Sequence, residues 1–249
     1  MKLFLVRHGE TDWLLQGRLQ GRSGVCLNET GEKQSRTAAE YLRTIRSGRL
    51  FVSELERAKE TARYISEACV LRSEVDTRLN EIFFGEWEGR TYDDIRSQYP
   101  EHFQNWVELK SDFSAPGGEN VREVSRRIRS FYDELAGFDS GRCPGLARGG
   151  IWSSTCPGSH APGRWRRSKA EPSLDETVIA VSHGGPIRLL LLDLLNEPLC
   201  KFRSLPVEPG SVTLIEQGMQ DLKIVKIDVA TGAETCLRSV LRGEFLDAG

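Results

Sequence analysis

Leu3-Phe4-Leu5-Val6-Arg7-His8-Gly9-Glu10-Thr11 and Thr177-Val178-Ile179-Ala180-Val181-Ser182-His183-Gly184-Gly185 are the two stretches on which the fold turns. Each is an apolar run of strand length that empties into a histidine-glycine turn, and the second continues into the helix-forming Pro186-Ile187-Arg188-Leu189-Leu190. The chain has four histidines, and two of them hold these matching positions. Open α/β folds keep their ligand sites beyond strand ends, so an imidazole beside a guanidinium at such an end suits a phosphate.

Between the two stretches, strand and helix signals alternate. Ala38, Ala39, Tyr41, Leu42 and Ile45 share one helical face, with Asn28 or Thr30 as candidate caps. Leu50-Phe51-Val52 reads as a short strand. Ser53-Glu54-Leu55-Glu56 has capping-box spacing, and Leu55, Ala58, Ala62, Ile65 and Cys69 form the apolar stripe of the helix behind it, with Arg57 in its first turn. A strand around Val75 precedes Leu79 to Pro100, whose acids, aromatics and glycines suit a loop with short helices over a site. Val121, Val124, Ile128, Phe131 and Leu135 then repeat at steps of three and four, as an amphipathic helix does. This alternation predicts a three-layer α/β/α sandwich around a mostly parallel sheet, formed as a single domain over residues 1–249.

One segment breaks the pattern. From Gly141 to Ala170 glycine and proline are frequent, and six Lys or Arg residues occur without an Asp or Glu. Such a stretch buries too little apolar surface to offset its ordering entropy, which predicts a mobile insertion. Trp152 and Trp165 beside Arg164, Arg166 and Arg167 offer an aromatic-basic surface, with a solvated loop as the plainer reading.

The formal net charge of −2 points to neither a nucleic-acid nor a membrane partner. The apolar run at Leu3–Val6 is too short for a signal-peptide core or a membrane span, so the expectation is a cytoplasmic protein with a small partner. The six cysteines show neither a Cys-x-x-Cys pair nor zinc-ligand spacing, and Cys143 and Cys156 are the pair to consider under oxidation.

Taken in order, Arg7-His8-Gly9-Glu10-Thr11, Leu55-Glu56-Arg57-Ala58, Leu79-Asn80-Glu81 with Phe84-Gly85-Glu86-Trp87-Glu88-Gly89, and Ser182-His183-Gly184 resemble the motifs of the histidine phosphatase superfamily, in its phosphoglycerate mutase-like branch. The resemblance spans nearly the whole chain apart from the basic insertion. It implies that His8 is the nucleophile that becomes a phosphohistidine, that Arg7, Arg57 and His183 complete the phosphate pocket, and that Glu81 is the proton donor. It implies no cofactor, no metal, and a small phosphorylated substrate. The chemistry requires an unprotonated nitrogen on His8, which Arg7 and Arg57 favour, and a raised pKa on Glu81, for which Leu79, Ile82 and Phe83 offer partial desolvation. Gln20 and Gly21 resemble a stretch beside the phosphate in relatives, against the reading of a plain loop. Thr11 is either a donor in the first turn or a cap. Glu86 and Glu88 are assigned to solvent or structural hydrogen bonds.

The departures bear on substrate shape. Leu14 stands where relatives commonly have a phosphate-contacting Asn, Glu54 replaces the usual Pro of the second motif, and Gly24-Val25-Cys26-Leu27 replaces Asp-x-Pro-Leu. The Arg-Arg-Ser stretch of glycolytic mutases is missing after Glu81. Phe84 to Tyr92 and Pro116-Gly117-Gly118-Glu119 look more like the phosphatase members, particularly α-ribazole-5′-phosphate phosphatases of cobalamin assembly, with sugar-phosphate phosphatases sharing the same phrases. Mutase-type phosphoryl transfer and a non-catalytic phospho-ligand or partner-binding role are the alternatives.

Overall fold

The computed structural model describes residues 1–137, 176–218 and 221–242. The basic segment 141–170, with Cys143, Cys156, Trp152 and Trp165, lies outside the described residues. In chain order the elements are β1 (Lys2–Arg7), α1 (Asp12–Leu15), α2 (Glu29–Leu42), β2 (Arg49–Val52), α3 (Glu56–Cys69), β3 (Ser73–Val75), α4 (Tyr92–Gln98), α5 (Pro100–Val107), α6 (Val121–Leu135), β4 (Thr177–Ser182), α7 (Gly184–Leu195), β5 (Val212–Gln217), β6 (Leu222–Ile227), β7 (Glu234–Cys236) and α8 (Leu237–Arg242).

The strands form one seven-stranded sheet in the order β3-β2-β4-β1-β5-β6-β7. The first four in that order run parallel, and β5, β6 and β7 add an antiparallel edge. The sheet is therefore parallel in its core and mixed overall. Side chains alternate across it with period two. Leu3, Leu5, Val178 and Ala180 point into a core closed by α6 and α7, while Phe4, Val6, Ile179 and Val181 point into one closed by α2 and α3. Burial on both faces is why β1 and β4 read as continuous apolar runs rather than alternating ones. The result is the expected three layers.

Asn28 caps α2, accepting from the Gly31 N–H at 2.9 Å. The capping box expected at Ser53–Glu56 does not form: the N-cap of α3 is Leu55, which has no side-chain acceptor. The Ser53 hydroxyl is engaged elsewhere, as described below. The loop after Leu79 packs its aromatics inward, with Trp87 fully buried and in ring contact with Tyr99 and Phe113.

Candidate active site

β1 and β4 are neighbours whose parallel register pairs Arg7 with Ser182. His8 and His183 are the next residues on each chain, so the sheet delivers both imidazoles to the same edge. Their ring centroids are 4.9 Å apart, and both rings are buried. Gly9 is required by proximity, since a Cβ there would lie 2.2 Å from the Gly31 carbonyl oxygen.

Hydrogen bonds fix the His8 tautomer. Its Nδ1 lies 2.7 Å from the Gly9 carbonyl oxygen, which only accepts, so Nδ1 carries the proton. Nε2 accepts from Arg57 Nε at 3.2 Å and keeps its lone pair on the arginine side. Burial, then Arg57 and Arg7, holds the His8 pKa well below the ordinary range, and the ring is neutral.

Arg57 is fully buried in the first turn of α3. Its Nη1 donates to the Ser23 carbonyl at 3.1 Å and its Nη2 to the Gly21 carbonyl at 2.6 Å. Burial lowers its pKa to about 10 against the opposing pull of Glu81 and Glu88. Arg7 donates from Nη1 to the Val207 carbonyl at 2.7 Å, and its buried Nε has no partner among the described residues. Burial and the neighbouring Arg188 lower the Arg7 pKa to about 10.

His183 is the N-cap of α7. Its Nε2 lies 2.7 Å from Ser53 Oγ, and its buried Nδ1 has no partner among the described residues. Burial first, then Arg57, His8, Arg127 and Arg7, pushes its pKa well below the ordinary range.

Glu81 reaches the same edge from the loop after a 3-10 turn at Thr77–Leu79. Its Oε1 accepts from the Ile82 N–H at 2.9 Å and its Oε2 from the Gly185 N–H at 3.4 Å. Gly185 makes this approach possible, because a Cβ there would stand 2.3 Å from Glu81 Oε1.

The structure thus brings together Arg7, His8, Arg57, Glu81 and His183, the five residues singled out for catalysis. Gly21 joins them through its carbonyl. Gln20 is buried beside it, and among the described residues its Oε1 has no partner and it makes no hydrogen bond to the cage. Thr11 is the cap of α1, its Oγ1 accepting from the Leu14 N–H at 3.3 Å. Glu88 is structural, accepting from the Arg22 and Phe84 N–H groups and from Ser23 Oγ.

Sequence reading missed Arg188 and Ser53. Arg188 donates to the carbonyls of Leu205, at 3.0 Å, and Val207, at 3.2 Å, and so shares Val207 with Arg7. Its signal is the one cation of an apolar helix whose other charged residue is Asp193. Tyr92 lies near the site, where its phenol is partly buried and feels the charges of Arg203, Glu81, Arg7 and Arg188.

Among the described residues no group of three or more His, Cys, Asp or Glu side chains is placed to hold a metal ion, and no helix is long and apolar enough to cross a membrane.

The family model for the histidine phosphatase superfamily (branch 1) matches residues 3–143 and 164–229. The chain is 29% identical over 229 residues to phosphoserine phosphatase 1 of Hydrogenobacter thermophilus, covering 92% of each. It is 29% identical over 227 residues to the adenosylcobalamin/alpha-ribazole phosphatase of Salmonella typhimurium, covering 90% of this chain and 96% of that protein. Among solved structures, a mycobacterial glucosyl-3-phosphoglycerate phosphatase complexed with VO3 superposes with a TM-score of 0.68 at 28% identity, covering 90% of this chain and 96% of that one.

Proposed function

The chain belongs to the histidine phosphatase superfamily, branch 1, and on that premise we propose that it hydrolyses a small phosphomonoester through a phosphohistidine on His8. The observation that carries this reading is the His8 ring itself: neutral, with its proton committed to Gly9 and its Nε2 lone pair turned toward the buried Arg57.

In the first step the Nε2 lone pair exchanges its hydrogen bond from Arg57 Nε for phosphorus, the N–P bond forms and the P–O bond to the alcohol breaks. The electron pair leaves with the alcohol oxygen, which takes the proton of Glu81. In the second step a water gives its proton to the Glu81 carboxylate and attacks phosphorus, the N–P bond breaks, and inorganic phosphate leaves. Charge on the equatorial oxygens is met by Arg7 Nε and the Arg57 guanidinium, cations already buried beside the reacting nitrogen, and by His183 Nδ1 once that nitrogen carries a proton. With the positive charge supplied by arginines, the route needs no metal. The relatives' names make α-ribazole 5′-phosphate, phosphoserine and phosphorylated sugar derivatives the substrates to screen.

The test is phosphate release from an activated aryl phosphate in excess EDTA, comparing the wild-type protein with His8→Ala. Release by the wild type alone is the expected result. No release by either folded protein would overturn the hydrolase reading, and product that keeps the phosphoryl group on a second alcohol would make the protein a mutase.

A further inference from the structure

The hydrogen bonds behind His183 form a directed chain. Asn80 is buried and meets Glu54 twice: the Glu54 backbone N–H donates to Asn80 Oδ1 at 3.1 Å, and Asn80 Nδ2 donates to Glu54 Oε1 at 2.5 Å. Turning the amide over would set donor against donor and acceptor against acceptor, so Glu54 fixes which way Asn80 points. Oδ1 therefore faces Ser53, and the Ser53 hydroxyl must give it its only proton, at 2.9 Å. What remains on Ser53 Oγ is acceptor capacity for two bonds, taken by the Leu55 N–H at 3.3 Å and by His183 Nε2 at 2.7 Å. A neutral His183 thus carries its proton on Nε2, which leaves the unpartnered Nδ1 as a bare lone pair.

A lone pair cannot hold a phosphoryl oxygen. Resting on the phosphatase reading above, we propose that Ser53, Asn80 and Glu54 are positioning residues that lock the His183 proton on Nε2, so that a phosphate is held only by the doubly protonated ring and binds with uptake of one proton.

The surroundings favour this coupling. Arg57 from α3, His8 and Arg7 from the end of β1 and Arg127 from α6 act on His183, Arg188 on α7 and Glu81 from its loop lie against the next residues, Gly184 and Gly185, and Glu54 ends the relay. The cations and burial keep the ring neutral in the empty site. A dianion reverses the balance, and the Glu54 carboxylate stabilises the cation that forms through the polarised chain. Glu54 is also where this sequence departs from the proline expected at that position.

The experiment is NMR of the full chain labelled with 15N-histidine, whose four histidines keep assignment tractable, titrated with inorganic phosphate near pH 8, where the free ion is mostly the dianion. The expected free protein shows His183 neutral with its proton on Nε2, and the phosphate complex shows both ring nitrogens protonated. Calorimetry in buffers of different ionisation heat should return about one proton taken up per phosphate. Ser53→Ala frees the tautomer, and its uptake should fall below half of the wild-type value. An Nδ1–H tautomer in the free protein, or a neutral ring in the complex, would overturn the proposal. The wild-type spectra need no variant, so misfolding of Ser53→Ala leaves the test standing. If phosphate moves no histidine signal, the phosphatase reading fails, while the free-state tautomer still decides the lock.

Discussion

Gly185→Ala separates the proposed acid from the rest of the site. Gly185 lies in the first turn of α7 without a positive φ, so its backbone does not demand glycine. What alanine would meet is Glu81 Oε1 at 2.3 Å and the outer carbons of Ile82 at 2.9 and 3.0 Å. Ordinary contact is about 1 Å longer than the first distance, so the carboxylate must retreat by roughly that much. Misplacing a catalytic group by about 1 Å costs on the order of 100-fold in rate, or about 2.7 kcal/mol of barrier. Helix propensity works the other way, since alanine is favoured over glycine by up to about 1 kcal/mol in a helix interior, so stability should hardly change. The assay compares kcat/KM, which reports the reaction only through the phosphorylation step, on an alkyl phosphate and on 4-nitrophenyl phosphate, whose phenolate departs without a proton. The alkyl rate should fall roughly 100-fold and the aryl rate less than about tenfold, with thermal unfolding moved by only a few degrees. Equal losses on both substrates, or an unchanged alkyl rate in a folded variant, would refute the placement of Glu81 as the acid.

Arg57→Lys tests the fork geometry. One ammonium cannot serve His8 Nε2, the Ser23 carbonyl and the Gly21 carbonyl at once, so kcat should fall roughly 100- to 1000-fold with circular dichroism unchanged, and a loss under tenfold would count against it. Acid stability tests the buried histidines. His8 and His183 have folded pKa values well below the unfolded value near 6.5, through burial first and then Arg57. Between those limits the unfolded chain binds more protons, so stability is complete above the unfolded pKa and is lost as pH falls toward the folded ones. Between pH 6 and pH 5 the pair should remove about 2.4 kcal/mol, measured by urea unfolding at the two pH values. A slope no steeper than that of the His8→Ala/His183→Ala double variant would refute it.

The sheet's core was legible because burial on both faces writes an unbroken apolar run, and Leu3–Val6 and Thr177–Val181 are such runs. The histidines followed from it, since residues just beyond register-paired strands must meet. The antiparallel edge was not read: β6 mixes Lys223 and Lys226 with its apolar residues, and β7 is short and exposed. Ser53 was misread for a physical reason. The Ser-x-x-Glu spacing is the same whether the hydroxyl caps a helix or serves a histidine 130 residues away, and only the fold reveals which partner it takes. Glu54 likewise has no local signal, because its role depends on Asn80, 26 residues on.

The division of labour within the site explains why the reaction is easier to read than the substrate. His8, Arg57 and His183 are carried by strand ends and a helix first turn, so their geometry is set by the sheet. Tyr92, Phe83 and Arg203 sit on or beside the connecting segments, with Phe83 and Tyr92 exposed and Arg203 stacked 5.6 Å from the Trp106 ring. None of the three is hydrogen-bonded to His8, Arg57 or His183, so on the proposed reading changes among them can vary the alcohol accepted while the cage keeps its hydrogen bonds. Relatives named for three different alcohols can therefore share similar identity with this chain, and that similarity cannot choose among them. On the proposed reading, substrate choice is to be sought among the side chains around Tyr92 and Arg203, which lie outside the buried histidine pair, rather than at His8 and His183.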